Sequence, residues 1–163
     1  MNSKQQILDT KAIDRKIDRL AWELYERHSN TEHLYMVGIL KNGVWLAQRL
    51  KKALEGISGL NITLIEMSID KDNPEAKDAN SDIPEGASIA LVDDVLNSGR
   101  TLIYAVMRLM RTKPHVLSTT VLVDRNHKRY PVKVDHKGLS LSTTLQERVQ
   151  LEVNGDSSEV YLK

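Results

Sequence analysis

The chain has no cysteine among its 163 residues. That excludes a disulfide scaffold, thiolate catalysis and a Cys-ligated zinc, and it fits a reducing compartment. Phenylalanine is also absent and aromatics are 4% of the chain, so a core must be built from Leu, Ile and Val. Charge of one sign is lacking too: the formal net charge is +1, which implies no bulk attraction to nucleic acid or membrane. No apolar run approaches the roughly 18–20 residues of a membrane span. The opening MNSKQQILDT lacks the basic-then-apolar build of a signal peptide. The expectation is one cytoplasmic domain spanning 1–163, with 40% hydrophobic and 28% charged residues.

What is present alternates between two periods. Ile13, Ile17, Leu20 and Leu24 share one helix face, behind an Asp9-Thr10 start signal. HLYMVGIL (33–40) has strand length, Lys41-Asn42-Gly43 turns, and Val44, Ala47, Leu50 and Leu54 recur at helical spacing. NITLIEMSI (61–69) reads as another strand. Residues 70–85 are polar, hold two prolines and show no apolar period. A structureless connection of this length favours a functional loop, placed at about 70–86. Strands at 87–92 and 116–124 bracket a helix at 101–110. Beyond 124 the pattern is irregular until two short strands, about 147–153 and 158–162, meet across Asn154-Gly155-Asp156. Strands apolar on both faces, alternating with helices, predict an α/β fold. Its central, mostly parallel sheet carries helices on both faces. Ligands of such sheets bind at the carboxyl ends of strands.

One stretch stands at such an end: IALVDDVLNSGRT, Ile89–Thr101. Asp93 and Asp94 offer oxygens that accept hydrogen bonds from vicinal hydroxyls or face Mg²⁺. Asn97, Ser98, Gly99, Arg100 and Thr101 then form a small polar loop in front of a helix N-terminus, whose free N–H groups favour phosphate. Sugar-hydroxyl acceptors beside a phosphate nest outline a ribose phosphate.

This stretch resembles the phosphoribosyl-pyrophosphate signature of type I phosphoribosyltransferases. ILDTKAIDRKIDRLAWELYER, VGILKNGVWLAQRL and VLVDRNHKRYPVKVDHKG are similar, in order, to segments of the bacterial pyrimidine-operon attenuation regulators that are also uracil phosphoribosyltransferases. The resemblance implies that fold, with a small hood from the terminal segments and a base-facing hood segment at about 125–145. It implies that Asp93 and Asp94 bind ribose and meet Mg²⁺ indirectly, through ribose or water. Asn97, Ser98, Gly99, Arg100 and Thr101 would hold the 5′-phosphate. Leu40, Lys41, Asn42 and Gly43 would form the pyrophosphate loop, often with a non-proline cis peptide. Asp124, Arg125, His136 and Lys137 would face the base. Phosphoribosyl pyrophosphate, a nucleobase such as uracil or a nucleoside monophosphate, and Mg²⁺ are the implied ligands. A homodimer is the implied assembly, and RNA is a further partner in the regulators.

The chain also departs from the pattern it resembles. Asn97 replaces an acid or an aromatic, and an amide cannot act as a general base. The 70–85 loop is short, its cations being Lys71 and Lys77. His136 and Lys137 replace an aromatic and an aliphatic residue. Arg19, Lys128 and Lys133 are kept where RNA would be met, but Asp18, Trp22 and Leu139 stand among them. Two functions of different class follow. One is a transferase moving ribose 5-phosphate onto a pyrimidine. The other is a nucleotide-sensing regulator with little turnover.

Overall fold

A computed structural model describes residues 3–70, 72–73 and 82–163. Lys71, Lys77 and most of the 70–86 loop lie outside the described residues. The elements run β1 (Gln5–Leu8), α1 (Thr10–Arg27), β2 (His33–Ile39), α2 (Asn42–Ile57), β3 (Asn61–Met67), β4 (Ser88–Leu96), α3 (Arg100–Met110), β5 (Val116–Arg125), β6 (His136–Leu141), β7 (Val149–Asn154) and β8 (Ser157–Leu162). The central sheet has the order β3-β2-β4-β5-β6, with every pairing parallel. A second, antiparallel sheet, β1-β8-β7, joins the two ends of the chain.

Side chains of β4 show why both faces need cover. Ala90 and Val92 enter a core with Leu20, Leu24, Leu46 and Leu50 of α1 and α2. Ile89 and Leu91 enter a second core with Leu102, Ala105 and Leu109 of α3. The alternation is the period-2 geometry of a strand buried on both sides. The terminal sheet seals the first core through Leu151 and Val160.

Several boundaries differ from expectation. β1 and β6 are strands that the sequence pattern does not reveal. β6 extends the main sheet, so the 125–145 segment is in part sheet edge. β4 continues through both aspartates to Leu96, because its pairing with β5 carries on to Leu96 opposite Asp124. α3 begins at Arg100 and α2 at Asn42.

The junction of α1 with the sheet holds a buried titratable group. His28 follows the last turn of α1, is 2% exposed, and pairs through Nε2 with Ser118 Oγ at 2.8 Å. Burial, then the neighbouring His136 and Arg27, push its pKa from 6.5 to about 4. The unfolded chain therefore takes up a proton on falling through 6.5 that the folded chain refuses until about 4. Stability from this group is fully present above that window and is lost as pH falls through it. The loss is on the order of 3 kcal/mol. Burial lowers His136 as well, with the same sign. The melting temperature should fall between pH 6.5 and 4, and His28→Gln should flatten the dependence. An unchanged slope in that variant would assign the effect elsewhere.

Candidate active site

A cavity of about 260 Å³ opens at the carboxyl ends of β2, β3 and β4, against the start of α3. It lies where the strand order reverses. β2 leads through α2 to β3 on one flank, and β4 leads through α3 to β5 on the other. Connections leaving in opposite directions open a crevice at that point.

Asp93 and Asp94 both line the cavity and are half-buried. The Asp94 N–H donates to Asp93 Oδ1 at 2.9 Å, which fixes the first carboxylate against the backbone of the second. Gly99 has φ +89°, the left-handed region that glycine adopts without strain, and it turns the chain into α3. The first intrahelical bond there runs from Ile103 N–H to Gly99 O, so the amides before it face the loop. The Arg100 N–H donates to Ser98 Oγ at 3.3 Å. On the outer side, the Arg129 and Tyr130 N–H groups donate to Ser98 O at 3.2 and 3.1 Å and pin the loop. Asn97, Ser98, Gly99 and Thr101 line the cavity. Arg100 is exposed beside them, its guanidinium 5.8 Å over the Tyr104 ring.

The loop after β2 forms the opposite wall. Its Leu40–Lys41 peptide is cis, at the place where the resemblance puts such a bond. Leu40 lines the cavity and its N–H donates to Met67 O. Lys41 is exposed. Asn42 turns away, donating through Nδ2 to Leu151 O at 3.1 Å and so tying the loop to β7. Gly43 is buried, and a Cβ there would stand 2.9 Å from Val92 O and 3.1 Å from Asp93 Cα. Only a glycine lets α2 start this close to the aspartates.

The four residues expected to face the base are not brought together on the cavity. Asp124 is 3% exposed and ion-paired to Lys128 at 3.0 Å and Lys137 at 3.5 Å. Arg125 spends Nε on Thr143 Oγ1, Nη2 on Thr144 O and Nη1 on Asn97 Oδ1, at 2.8, 3.1 and 3.1 Å. His136 sits against α1 with Glu23, Glu26 and Arg27. The physical reason is β6: consecutive residues of a strand point to opposite faces, which separates His136 from Lys137.

Ile39, Ser68 and Ile69 complete the wall. They are brought there by the parallel register of β2 and β3, which sets Ile39 beside Met67. Arg108, buried in the last turn of α3, donates to Ser68 O at 2.9 Å. In the sequence Arg108 is only a charged residue within the mostly apolar run Leu102–Met110, and nothing there marks it as a support for this wall.

No group of three His, Asp or Glu side chains able to cage a metal occurs among the described residues. The donors at hand are the two hard carboxylates. That set fits Mg²⁺, which keeps waters and is bound by one or two carboxylates together with substrate oxygens.

The profile of the phosphoribosyl transferase domain matches residues 3–152. The Bifunctional protein PyrR of Streptococcus thermophilus is 32% identical over 164 residues, covering 95% of each chain. That of Clostridium acetobutylicum is 33% identical over 177 residues, covering 99% of each. Among solved structures, the hypoxanthine phosphoribosyltransferase of Trypanosoma cruzi aligns with a TM-score of 0.78 at 17% identity, over 96% of this chain and 95% of that one. A hypoxanthine-guanine phosphoribosyltransferase from Bacillus anthracis aligns with a TM-score of 0.74 at 19% identity, over 86% and 84%. With the paired aspartates, the glycine-turned loop and the parallel sheet in place, the chain belongs to the phosphoribosyl transferase domain family.

Proposed function

We propose that the protein transfers ribose 5-phosphate from phosphoribosyl pyrophosphate to a pyrimidine base such as uracil, with Mg²⁺. The observation that carries this reading is the cavity that Asp93 and Asp94 share with the Ser98-Gly99 turn at the head of α3. The aspartates accept from the ribose hydroxyls, the turn and helix N-terminus hold the 5′-phosphate, and the Leu40–Gly43 loop receives the pyrophosphate. Asp93 and Asp94 would hold Mg²⁺ indirectly, through ribose or water, and the ion would supply charge neutralisation for the leaving group. The C1–O bond to pyrophosphate breaks, the C1–N bond to the base forms, the proton of that base nitrogen passes to solvent or the departing pyrophosphate, and positive charge builds on the ring as in glycoside cleavage. The protein's part is alignment and electrostatics, so no side-chain nucleophile is required. The test is pyrophosphate release from phosphoribosyl pyrophosphate and Mg²⁺ with each nucleobase in turn. Release with uracil supports the reading; none with any base overturns turnover.

A second role, as a nucleotide-sensing regulator that binds RNA, is favoured by relatives that are named bifunctional. Against it, Arg19 donates to the Lys137 and Gly138 carbonyls on the open edge of β6 and pairs with Glu23, so its guanidinium is already engaged. RNA binding should therefore be weak and lose little on raising salt. A homodimer and a cytoplasmic location complete the proposal. The exposed Trp22, stacked edge-on with Tyr25 on α1, is suited to a subunit contact. No helix among the described residues is long and apolar enough to cross a membrane.

A further inference from the structure

We infer that Asn97, locked by Arg125, selects the base by presenting a hydrogen-bond donor to a carbonyl beside the attacking nitrogen. The inference rests on the proposed transfer reaction.

Displacement at C1 requires the base and the pyrophosphate on opposite sides of that carbon. The pyrophosphate loop follows β2, on one flank of β4. The base must then approach from the other flank, where β5 ends. Asn97 lines the cavity next to Leu96, whose register partner is Asp124 at the end of β5. Arg125, the next residue, reaches back to it.

The direction of the Asn97 amide follows from chemistry. A guanidinium has only donors, so the atom 3.1 Å from Arg125 Nη1 must be the amide oxygen. Arg125 cannot swing away freely, because its Nε and Nη2 are held by Thr143 and Thr144. The Asn97 Nδ2 group has no partner among the described residues, and its dipole is set with the positive end away from the arginine. Uracil attacks through a nitrogen flanked by a carbonyl, which accepts from Nδ2. A free purine attacking through one imidazole nitrogen carries N–H on the other and needs an acceptor there. A locked amide offers it poorly, whereas a carboxylate would serve. Arg125 is thus a positioning residue, and Asn97 touches the base.

The test compares binding of uridine 5′-monophosphate with ribose 5-phosphate, which has the sugar and phosphate but no base. Calorimetry is run on the wild-type protein, Asn97→Asp and Arg125→Gln. Asn97→Asp keeps an acceptor for Arg125 but turns a carboxylate toward the base carbonyl. It should weaken the uridine nucleotide at least about tenfold more than it weakens ribose 5-phosphate. Arg125→Gln should weaken the uridine nucleotide a few-fold by freeing the amide. In turnover, Asn97→Asp should move the uracil-to-hypoxanthine ratio of kcat/KM toward hypoxanthine by about tenfold or more. Equal effects of Asn97→Asp on the two ligands overturn the inference and leave the proposed function standing. Failure of the wild type to bind ribose 5-phosphate overturns the proposed function, and the inference with it.

Discussion

Replacing both aspartates, Asp93→Asn with Asp94→Asn, should lower kcat/KM for phosphoribosyl transfer by about 100- to 1000-fold while the protein stays folded. The pair lines the cavity at the end of β4, where a sugar ring carrying developing positive charge would sit. Two carboxylates oppose that charge and accept from the vicinal hydroxyls, and amides of the same shape do the second task weakly and the first not at all. The Asp94 N–H bond to Asp93 Oδ1 survives, because an asparagine oxygen accepts in the same place. Removing two adjacent negative charges relieves repulsion, so the melting temperature should hold or rise, as is common where a site is built for function rather than stability. Steady-state assay beside a thermal melt checks both halves. Activity within about threefold of wild type would remove the aspartates from the chemistry.

Much of this site is written locally. The thirteen residues Ile89–Thr101 carry an apolar run, two acids, a glycine loop and a helix start in chain order, and α3 follows from them without distant help. The parallel sheet is legible for a related reason: strands covered on both faces cannot show polar alternation. What escapes the sequence depends on neighbours far along the chain. β6 reads HKGLSL, with a lysine, a glycine and one serine between two leucines, and becomes a strand because β5 pairs with it and Arg19 covers its edge carbonyls. β1 is four residues, two of them facing water, and is held by β8. Ser68 and Ile69 reach the cavity only through the register of β2 with β3. The resemblance assigns to the base Asp124 and Arg125, where one strand ends, and His136 and Lys137, in a later segment. In the structure Asp124 and Lys137 pair with each other, His136 sits against α1, and Arg125 reaches the site through Asn97.

Gly99→Ala should cost about 2–4 kcal/mol in stability and weaken ribose 5-phosphate binding at least about tenfold. Two separate penalties add at this position. The backbone has φ +89°, where any Cβ meets its own carbonyl. A Cβ would also stand 2.4 Å from Val132 Cγ1, an overlap that requires movement of a β-branched side chain with few rotamers. Urea unfolding separates the two. Val132→Ala in the Gly99→Ala background removes the overlap and should restore that share of stability, but not the dihedral share and not the phosphate binding, since the turn that aims the α3 amides stays distorted. Full recovery of both would mean that the positive φ is incidental and that the loop can be rebuilt with any small residue. Partial recovery of stability with binding still lost would tie the phosphate site to the backbone conformation itself.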